Sequence, residues 1–127
     1  MSRLDFPYDP EYSPPAPVVD IIVRGQDQLV GRCQAVVDTS SGVTCIPVAI
    51  LDSVRAPDAD EVIIRALFGH RKAIRRRKVT VGLRGSEVEL ELNTVPHDSS
   101  VALLGLDFLN RCVVVLDGRA QRVTIDC

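Results

Sequence analysis

An aspartate at the end of an apolar run is the first feature of this sequence that could do chemistry. Residues 35–44 read AVVDTSSGVT, so Asp38 directly follows three apolar residues and Thr39 comes next. A carboxylate at the end of a buried strand costs free energy unless a partner satisfies it, and such groups gather at functional sites. Asp38 could act in acid–base chemistry or could simply cap a turn, and the rest of the chain decides between these two interpretations.

The other residues with reactive side chains form no recognisable site. The cysteines include no Cys-x-x-Cys pair, and His70 and His97 lie far from them along the chain; the cysteines are Cys33, Cys45, Cys112 and Cys127. This spacing does not match a zinc site, so we expect no metal and no cofactor. In the absence of a secretion signal, we expect the cysteines to be free, buried thiols.

The composition is that of an ordinary soluble globular protein. The chain has 127 residues, of which 46% are hydrophobic and 25% charged, with a formal net charge of −2. This length fits one domain with one modest core. No apolar run reaches membrane-spanning length and the first ten residues contain no apolar signal core, so we expect a cytoplasmic protein with no membrane partner.

Residues 1–16 form a proline-rich arm, and we assign residues 17–127 to the domain. Proline removes backbone donors and fixes φ, so the arm is predicted to be extended and to be neither a helix nor a central strand. Three of the chain's few aromatic residues lie here, at Phe6, Tyr8 and Tyr12. They favour docking of the arm on the domain.

Short extended segments begin the domain. The β-branched runs 18–25 and 28–38 are separated by a short polar stretch, which predicts an antiparallel hairpin. Residues 47–54 begin with Pro47 and predict a short helix. A loop is predicted over 55–60.

The middle of the domain predicts a long hairpin and a further strand. Residues 61–83 contain two extended segments that break near 68–70, and 86–95 alternates apolar and acidic residues with period two. A tight turn at Arg84-Gly85 predicts two cross-strand pairs, Glu89 with Thr80 and Glu91 with Lys78.

The last part of the domain predicts a short buried strand over 100–105 and one or two helical turns over 106–111. A hairpin over 112–126 follows, turning at Asp117-Gly118. Many short strands, two short helices at most and frequent turns predict an all-β, barrel-like fold.

Two segments in this order resemble the retropepsin-like aspartic proteases, which include the retroviral proteases and bacterial relatives. The first, VVDTSSGVTCIP, resembles the family's Asp-Thr/Ser-Gly catalytic loop; the second, ALLGLDFLNRCVVVLDG, resembles its later apolar-apolar-Gly segment, especially in bacterial members. The two are separated by 67 residues from Asp38 to Gly105. The resemblance covers about residues 17–125. It implies a closed, barrel-like β domain with one or two short helices and a flap hairpin.

The resemblance also implies an activity. Such enzymes hydrolyse peptide bonds with two carboxylates that share one proton. This chain has one such loop, so the resemblance implies a homodimer in which each copy contributes Asp38, with the active site on the twofold axis. The Thr39 hydroxyl would bond across the dimer. Leu103, Leu104 and Gly105 would pack beneath the catalytic loop.

An extended peptide or protein substrate is implied as the second partner. Its candidate binding residues follow the catalytic aspartate, form the tip of the flap and precede the later glycine; they are Ser40, Ser41, Gly42, Leu67, Phe68, Gly69, His70 and Val101. A flap of this kind excludes water and presents backbone groups to the peptide.

The sequence departs from the family pattern at two places. Ser40 stands where the family's triplet ends in glycine, and its side chain could crowd the peptide or the catalytic water. Gly42 and Leu106 stand where retroviral members have an acidic residue and an arginine that pair with each other. Both partners are missing together, so no buried charge is left alone, and we expect substrate specificity to differ from that of the viral enzymes.

Two alternatives to an active peptidase stay open. One is a catalytically degenerate retropepsin-like dimer that serves as a dimerisation or peptide-binding module. The other is nucleic-acid binding through HRKAIRRRK (70–78). The net charge and the lack of interleaved aromatic residues favour a solvated strand face there, so we expect no nucleic-acid partner, although such a cluster on a flap could steer acidic substrates. Asp107 is expected to cap a helix or to bond within the fold.

Overall fold

A computed structural model describes residues 3–65 and 69–127 of the chain. Within these ranges the strands and helices follow in the order β1 (Arg3–Pro7), β2 (Val18–Arg24), β3 (Val30–Val37), β4 (Cys45–Pro47), α1 (Val48–Ser53), β5 (Asp58–Arg65), β6 (Arg71–Leu83), β7 (Glu89–His97), β8 (Ala102–Leu104), α2 (Leu106–Leu109), β9 (Val113–Asp117) and β10 (Arg122–Asp126). The predicted all-β class is confirmed. The short helix expected over 47–54 is present, whereas the loop expected over 55–60 is shorter because β5 already begins at Asp58.

Six strands form a closed barrel. Strands β2, β3, β8, β4, β7 and β6 are hydrogen-bonded to one another in that order, and β2 also pairs with β6, which closes the ring. Strand β5 adds to the free side of β6. Val19, Ile21 and Val23 alternate along β2 and are almost completely buried, as expected of a strand with one face towards a core.

The core inside this barrel is aliphatic apart from one aromatic residue. Its largest fully buried side chains are Phe108, Ile21, Ile46, Leu51, Leu83 and Leu104. Burial of an aliphatic side chain contributes about 1.5–3 kcal/mol, so the barrel wall and α2 stabilise each other by removing apolar surface from water. Phe108 places α2 against this core.

The hairpin from β6 to β7 has a different register from the predicted one. Glu91, not Glu89, pairs with Thr80, and Glu89 pairs with Gly82. The turn between the strands is longer than two residues. Gly85 has a φ of +92°, Ser86 N donates to Leu83 O, and Val88 N donates to the Ser86 hydroxyl. Because the register shifts by two residues, each side chain of β7 stays on the predicted face of the sheet, apolar or acidic.

The arm and the end of the chain form a second, three-stranded sheet in the order β1-β10-β9. Strand β1 pairs antiparallel with β10, which places Phe6 opposite Val123, and Tyr8 N donates to Gln121 O at 2.8 Å. Phe6 and Tyr8 pack against the hydrophobic core. The arm therefore docks on the domain, as expected from its aromatic residues.

Two of the cysteines form a disulfide, and the prediction that they are free thiols is wrong. Cys112 is bonded to Cys127, whereas Cys33 and Cys45 are free. The reason is the register of the last hairpin, in which Val113 pairs with Asp126 and so brings the two flanking cysteines side by side. A sequence separation of 15 does not reveal this contact without the register.

Neither helix of the described part of the chain is long and apolar enough to cross a membrane.

Candidate active site

Asp38 lies where two parallel strands end. Strand β3 pairs in parallel with β8, with Val37 opposite Leu104, and Asp38 N donates to Leu104 O at 3.0 Å. The run of apolar residues ends here because Val37 is still buried in the core while Asp38 is only half-buried. The chain then turns, with Ser41 N donating to Asp38 O at 3.3 Å. We call residues 38–44 the aspartate loop.

The two oxygens of the Asp38 carboxylate have different surroundings. Oδ1 accepts two hydrogen bonds from one residue, from the Ser40 hydroxyl at 2.6 Å and from Ser40 N at 3.0 Å. Within the described part of the chain no donor is bonded to Oδ2. One oxygen is thus held in place by Ser40, and the other keeps its capacity to accept hydrogen bonds.

A buried threonine fixes the far end of the aspartate loop. Thr44 is completely buried, and its N–H and its hydroxyl both donate to the Asp107 carboxylate, at 3.0 and 2.6 Å. The same hydroxyl accepts a hydrogen bond from Gly105 N at 3.1 Å. Asp107 therefore bonds within the fold, as predicted. The role of Thr44 was not predicted, because a single sequence gives no sign that this threonine is buried.

Gly105 allows the aspartate loop and the segment after β8 to approach closely. A Cβ atom on this residue would lie 2.7 Å from the carbonyl carbon of Val43 and 2.8 Å from Ser41 O, and both are backbone atoms. The next residue contributes to the contact, since Leu106 N donates to Ser41 O at 2.8 Å. Only glycine fits at this crossing without a shift of the backbone.

A cavity of about 310 Å³ opens beside the aspartate loop. The loop forms one wall and the end of β5 forms another; the lining residues are Ser40, Ser41, Gly42, Val43, Cys45, Ile63, Ile64, Arg65 and Val95. Three predicted binding residues, Ser40, Ser41 and Gly42, are thus together. The contribution of β5 was not predicted, because it depends on a contact between distant parts of the chain.

The other candidate residues lie in different places. Thr39 is exposed next to Asp38, and Gly69 (φ +80°) and His70 are exposed just before β6. Val101 precedes β8, at the opposite end of that strand from Asp38, and its carbonyl accepts a hydrogen bond from His97 Nε2 at 2.9 Å. It does not line the cavity. Leu67 and Phe68 lie outside the described residues.

The free cysteines are unsuited to act as nucleophiles. Burial raises the pKa of the Cys33 thiol to about 11. Burial also raises the pKa of Cys45, and the Asp107 and Asp38 carboxylates add to this effect, although a hydrogen bond with Ser41 opposes it. Because the thiolate is the reactive form, neither cysteine is a candidate nucleophile. Asp38 precedes the residues that line the cavity and is not itself one of them.

In residues 3–65 and 69–127, no group of three or more His, Cys, Asp or Glu side chains is arranged to hold a metal ion.

Comparison of the whole fold identifies its type. The EIAV protease complexed with the inhibitor HBY-793 matches with a TM-score of 0.57 at 16% identity, over 76% of this chain and 86% of that one. A retropepsin-like aspartic protease from Rickettsia conorii matches with a TM-score of 0.52 at 15% identity, over 87% and 92%. The foamy viral protease-reverse transcriptase in complex with an RNA/DNA hybrid matches with a TM-score of 0.54 at 18% identity, over 75% of this chain and 12% of that one.

No protein-family model matches the sequence, and no curated protein matches it. At these identities the structural likeness establishes the fold and not the activity. The chain has a retropepsin-like fold, which confirms the resemblance seen in VVDTSSGVTCIP and ALLGLDFLNRCVVVLDG.

Proposed function

We propose that this protein is an aspartic endopeptidase that works as a homodimer and hydrolyses extended peptides between the Asp38 residues of its two copies. One observation carries the proposal. On a retropepsin-like fold, Asp38 stands at the end of a barrel strand, on a loop that is clamped by β8 and α2 and whose following residues line a cavity. The loop would hold this carboxylate in a fixed position, as acid–base catalysis requires.

The proposed reaction needs two carboxylates that share one proton. Two like charges a few ångströms apart cannot both ionise cheaply, so one carboxylate stays ionised while the other keeps its proton. The ionised carboxylate takes a proton from water, whose oxygen attacks the peptide carbonyl carbon, while the protonated one donates to the carbonyl oxygen. As the C–N bond breaks, the carboxyl group that took the proton from water donates it to the departing nitrogen, and the other carboxylate takes back a proton from a hydroxyl group on the carbon. Thr39, next to Asp38, would brace the two loops across the dimer.

Strand β9 supports the proposed dimer. It ends the three-stranded sheet, so its outer edge has no paired strand in the described part of the chain. Val113 and Val115 project from one face of this strand and are 68% and 51% exposed. An unpaired edge with exposed valines is a ready template for a second chain. We therefore place part of the contact between the two copies along β9.

Val115→Lys is expected to convert the dimer into a monomer and to abolish peptidase activity, because the second Asp38 is then missing. The side chain is half-exposed, so the fold itself is expected to tolerate the charge. Light scattering and cleavage of an unfolded protein substrate measure the two effects. Val30→Lys, at another exposed valine on β3 (44% exposed), is the control. An active dimer in the Val115 variant would contradict this placement of the interface.

The Ser40 hydroxyl favours one alternative, a retropepsin-like module without catalysis. It occupies a lone pair of Asp38 Oδ1 at 2.6 Å, where it would compete with a catalytic water. A hydrogen bond to a charged group contributes about 1.5–3 kcal/mol, and 1.4 kcal/mol corresponds to about a tenfold change in rate. Such a bond could reduce activity without altering the fold.

Ser40→Gly is therefore expected to raise kcat by about tenfold. Ser40→Ala removes the hydroxyl but keeps the Cβ, so it separates the hydrogen bond from crowding of the substrate. Ser41→Ala is the control, since that hydroxyl donates to Val43 O and not to Asp38. Equal rates in wild type and both Ser40 variants would exclude a restraining role. A silent wild type with an active Ser40→Gly would establish the degenerate alternative.

A further inference from the structure

The charges on the hairpin formed by β5 and β6 are unevenly distributed. Four cations near the base of the hairpin pair with carboxylates; the pairs are Arg75 with Glu61, Arg76 with Asp60, Arg77 with Asp52 and Lys78 with Glu91, at 2.5–3.6 Å. The Arg76 hydrogen bond holds the pKa of Asp60 below its usual value. Further along the hairpin, Arg65, Arg71 and Lys72 have no carboxylate within 4.0 Å in the described part of the chain.

Two of these cations, Arg65 and Arg71, which we call the basic cluster, lie side by side because of the strand register. Arg65 pairs directly with Arg71, so both side chains project from one face, whereas Lys72 pairs with Ile64 and projects from the other face. Like charges directly opposite one another destabilise a pair of strands. The chain as a whole has a net charge of −2, so the cluster does not follow from a general excess of cations. Because this repulsion costs free energy in the absence of a ligand, the arrangement indicates a site that binds an anion.

The position of Arg65 connects the basic cluster with the aspartate loop. Arg65 lines the same cavity as Ser40, Ser41 and Gly42, together with the apolar Ile63 and Ile64. A peptide bound in this cavity, next to the residues that follow Asp38, would therefore lie beside a guanidinium group. Arginine binds carboxylates through two parallel hydrogen bonds, which gives both affinity and directional selectivity.

We propose that the basic cluster selects peptide substrates that carry an aspartate or glutamate close to the scissile bond. This inference rests on the proposed peptidase function and names its substrate class. A nucleic acid is the less suitable occupant, because the cations nearer the base of the hairpin are already paired with carboxylates. Binding to nucleic acid generally draws on many free phosphate contacts.

The test compares two series of peptides that differ only by Glu or Gln at each position around a cleavable bond. Wild type is expected to cleave the best Glu peptide with a kcat/KM about tenfold above that of its Gln partner. This preference is expected to fall as salt is raised from 0.05 to about 0.5 M, since the Debye length shortens. The double variant Arg65→Gln, Arg71→Gln is expected to cleave both peptides equally. Arg119→Gln, in the exposed turn between β9 and β10, is the control and keeps the preference.

A second measurement separates this inference from the proposed function. Binding of the same labelled peptides to full-length Asp38→Asn protein is followed by fluorescence anisotropy, which needs no catalysis. Cleavage without a preference for Glu overturns the inferred substrate class and leaves the proposed peptidase function unaffected. Preferential binding of the Glu peptide by a protein whose wild type cleaves nothing overturns the peptidase and supports the basic cluster. Equal binding of the two peptides, no binding, or displacement of the Glu peptide by a random oligonucleotide overturns the basic cluster as an acidic-peptide site.

Discussion

Asp38→Asn is expected to lower peptide-bond hydrolysis by about 10³-fold or more while the fold stays intact. The amide oxygen of Asn can still accept the two hydrogen bonds that Ser40 donates to Oδ1. The amide cannot take a proton from water or donate one as a carboxylic acid does. In the proposed dimer, both copies lose the group at once. The geometry of the aspartate loop is thus preserved, and only its chemistry is removed.

Cleavage of an unfolded protein substrate from about pH 4 to 7 measures this loss, since a proton-sharing carboxylate pair acts in that range. The matched control is Asp27→Asn, because Asp27 is exposed in a turn before β3 and its positive φ of 53° suits asparagine. The control is expected to retain full activity. Equal cleavage by wild type and Asp38→Asn would show that the activity comes from another group or from a contaminant.

Gly105→Ala is expected to destabilise the protein by about 2–3 kcal/mol and to disable the site. The added methyl group would lie 2.7–2.8 Å from backbone atoms of Val43 and Ser41, which cannot rotate away as a side chain could. Relief requires that the aspartate loop moves away from β8 and α2. The hydrogen bonds from Leu106 N to Ser41 O and from Gly105 N to Thr44 would lengthen, and Asp38 would move with the loop.

Urea unfolding of wild type, Gly105→Ala and Gly118→Ala measures this effect. Gly118 is the matched control, because a Cβ atom there has no neighbour within 4 Å and the residue does not have a positive φ. The control is expected to unfold at the wild-type midpoint or slightly above it, since alanine restricts the unfolded chain more than glycine does. Equal midpoints for all three proteins would mean that the contact at Gly105 relaxes without cost.

Local patterns were sufficient to predict most of the secondary structure. The alternation in β7 and the β-branched residues of β2, β3 and β6 identify strands without knowledge of their neighbours. The register between β6 and β7 was beyond such patterns, because it depends on the backbone of a turn. Gly85 and the Ser86 hydroxyl shape that turn, and together they shift the pairing by two residues.

Apart from Leu104 and Gly105, which the family resemblance placed beneath the aspartate loop, the site was predictable only in its continuous part. Asp38, Ser40 and Ser41 follow one another along the chain, so the motif that contains them can be recognised as a unit. Thr44 and Asp107 are 63 residues apart, and their contact depends on how β8 and α2 return to the aspartate loop. The same limit applies to the wall contributed by β5 and to the disulfide between Cys112 and Cys127. Each is a contact between distant segments, and the sequence of one segment does not indicate that it contacts the other.

The pairing of β8 with β3, two strands that are far apart along the chain, has a consequence for the timing of folding. Hairpins such as β5–β6 close short loops, whereas the pairing of Val37 with Leu104 closes a loop of more than half the chain. Contacts of such long range form slowly, because the chain must lose much of its freedom before they are made. During synthesis, β8 and α2 also leave the ribosome late. A nascent chain would therefore have completed its first hairpins well before β8 and α2 clamp its aspartate loop, and the activity proposed above could not begin before that.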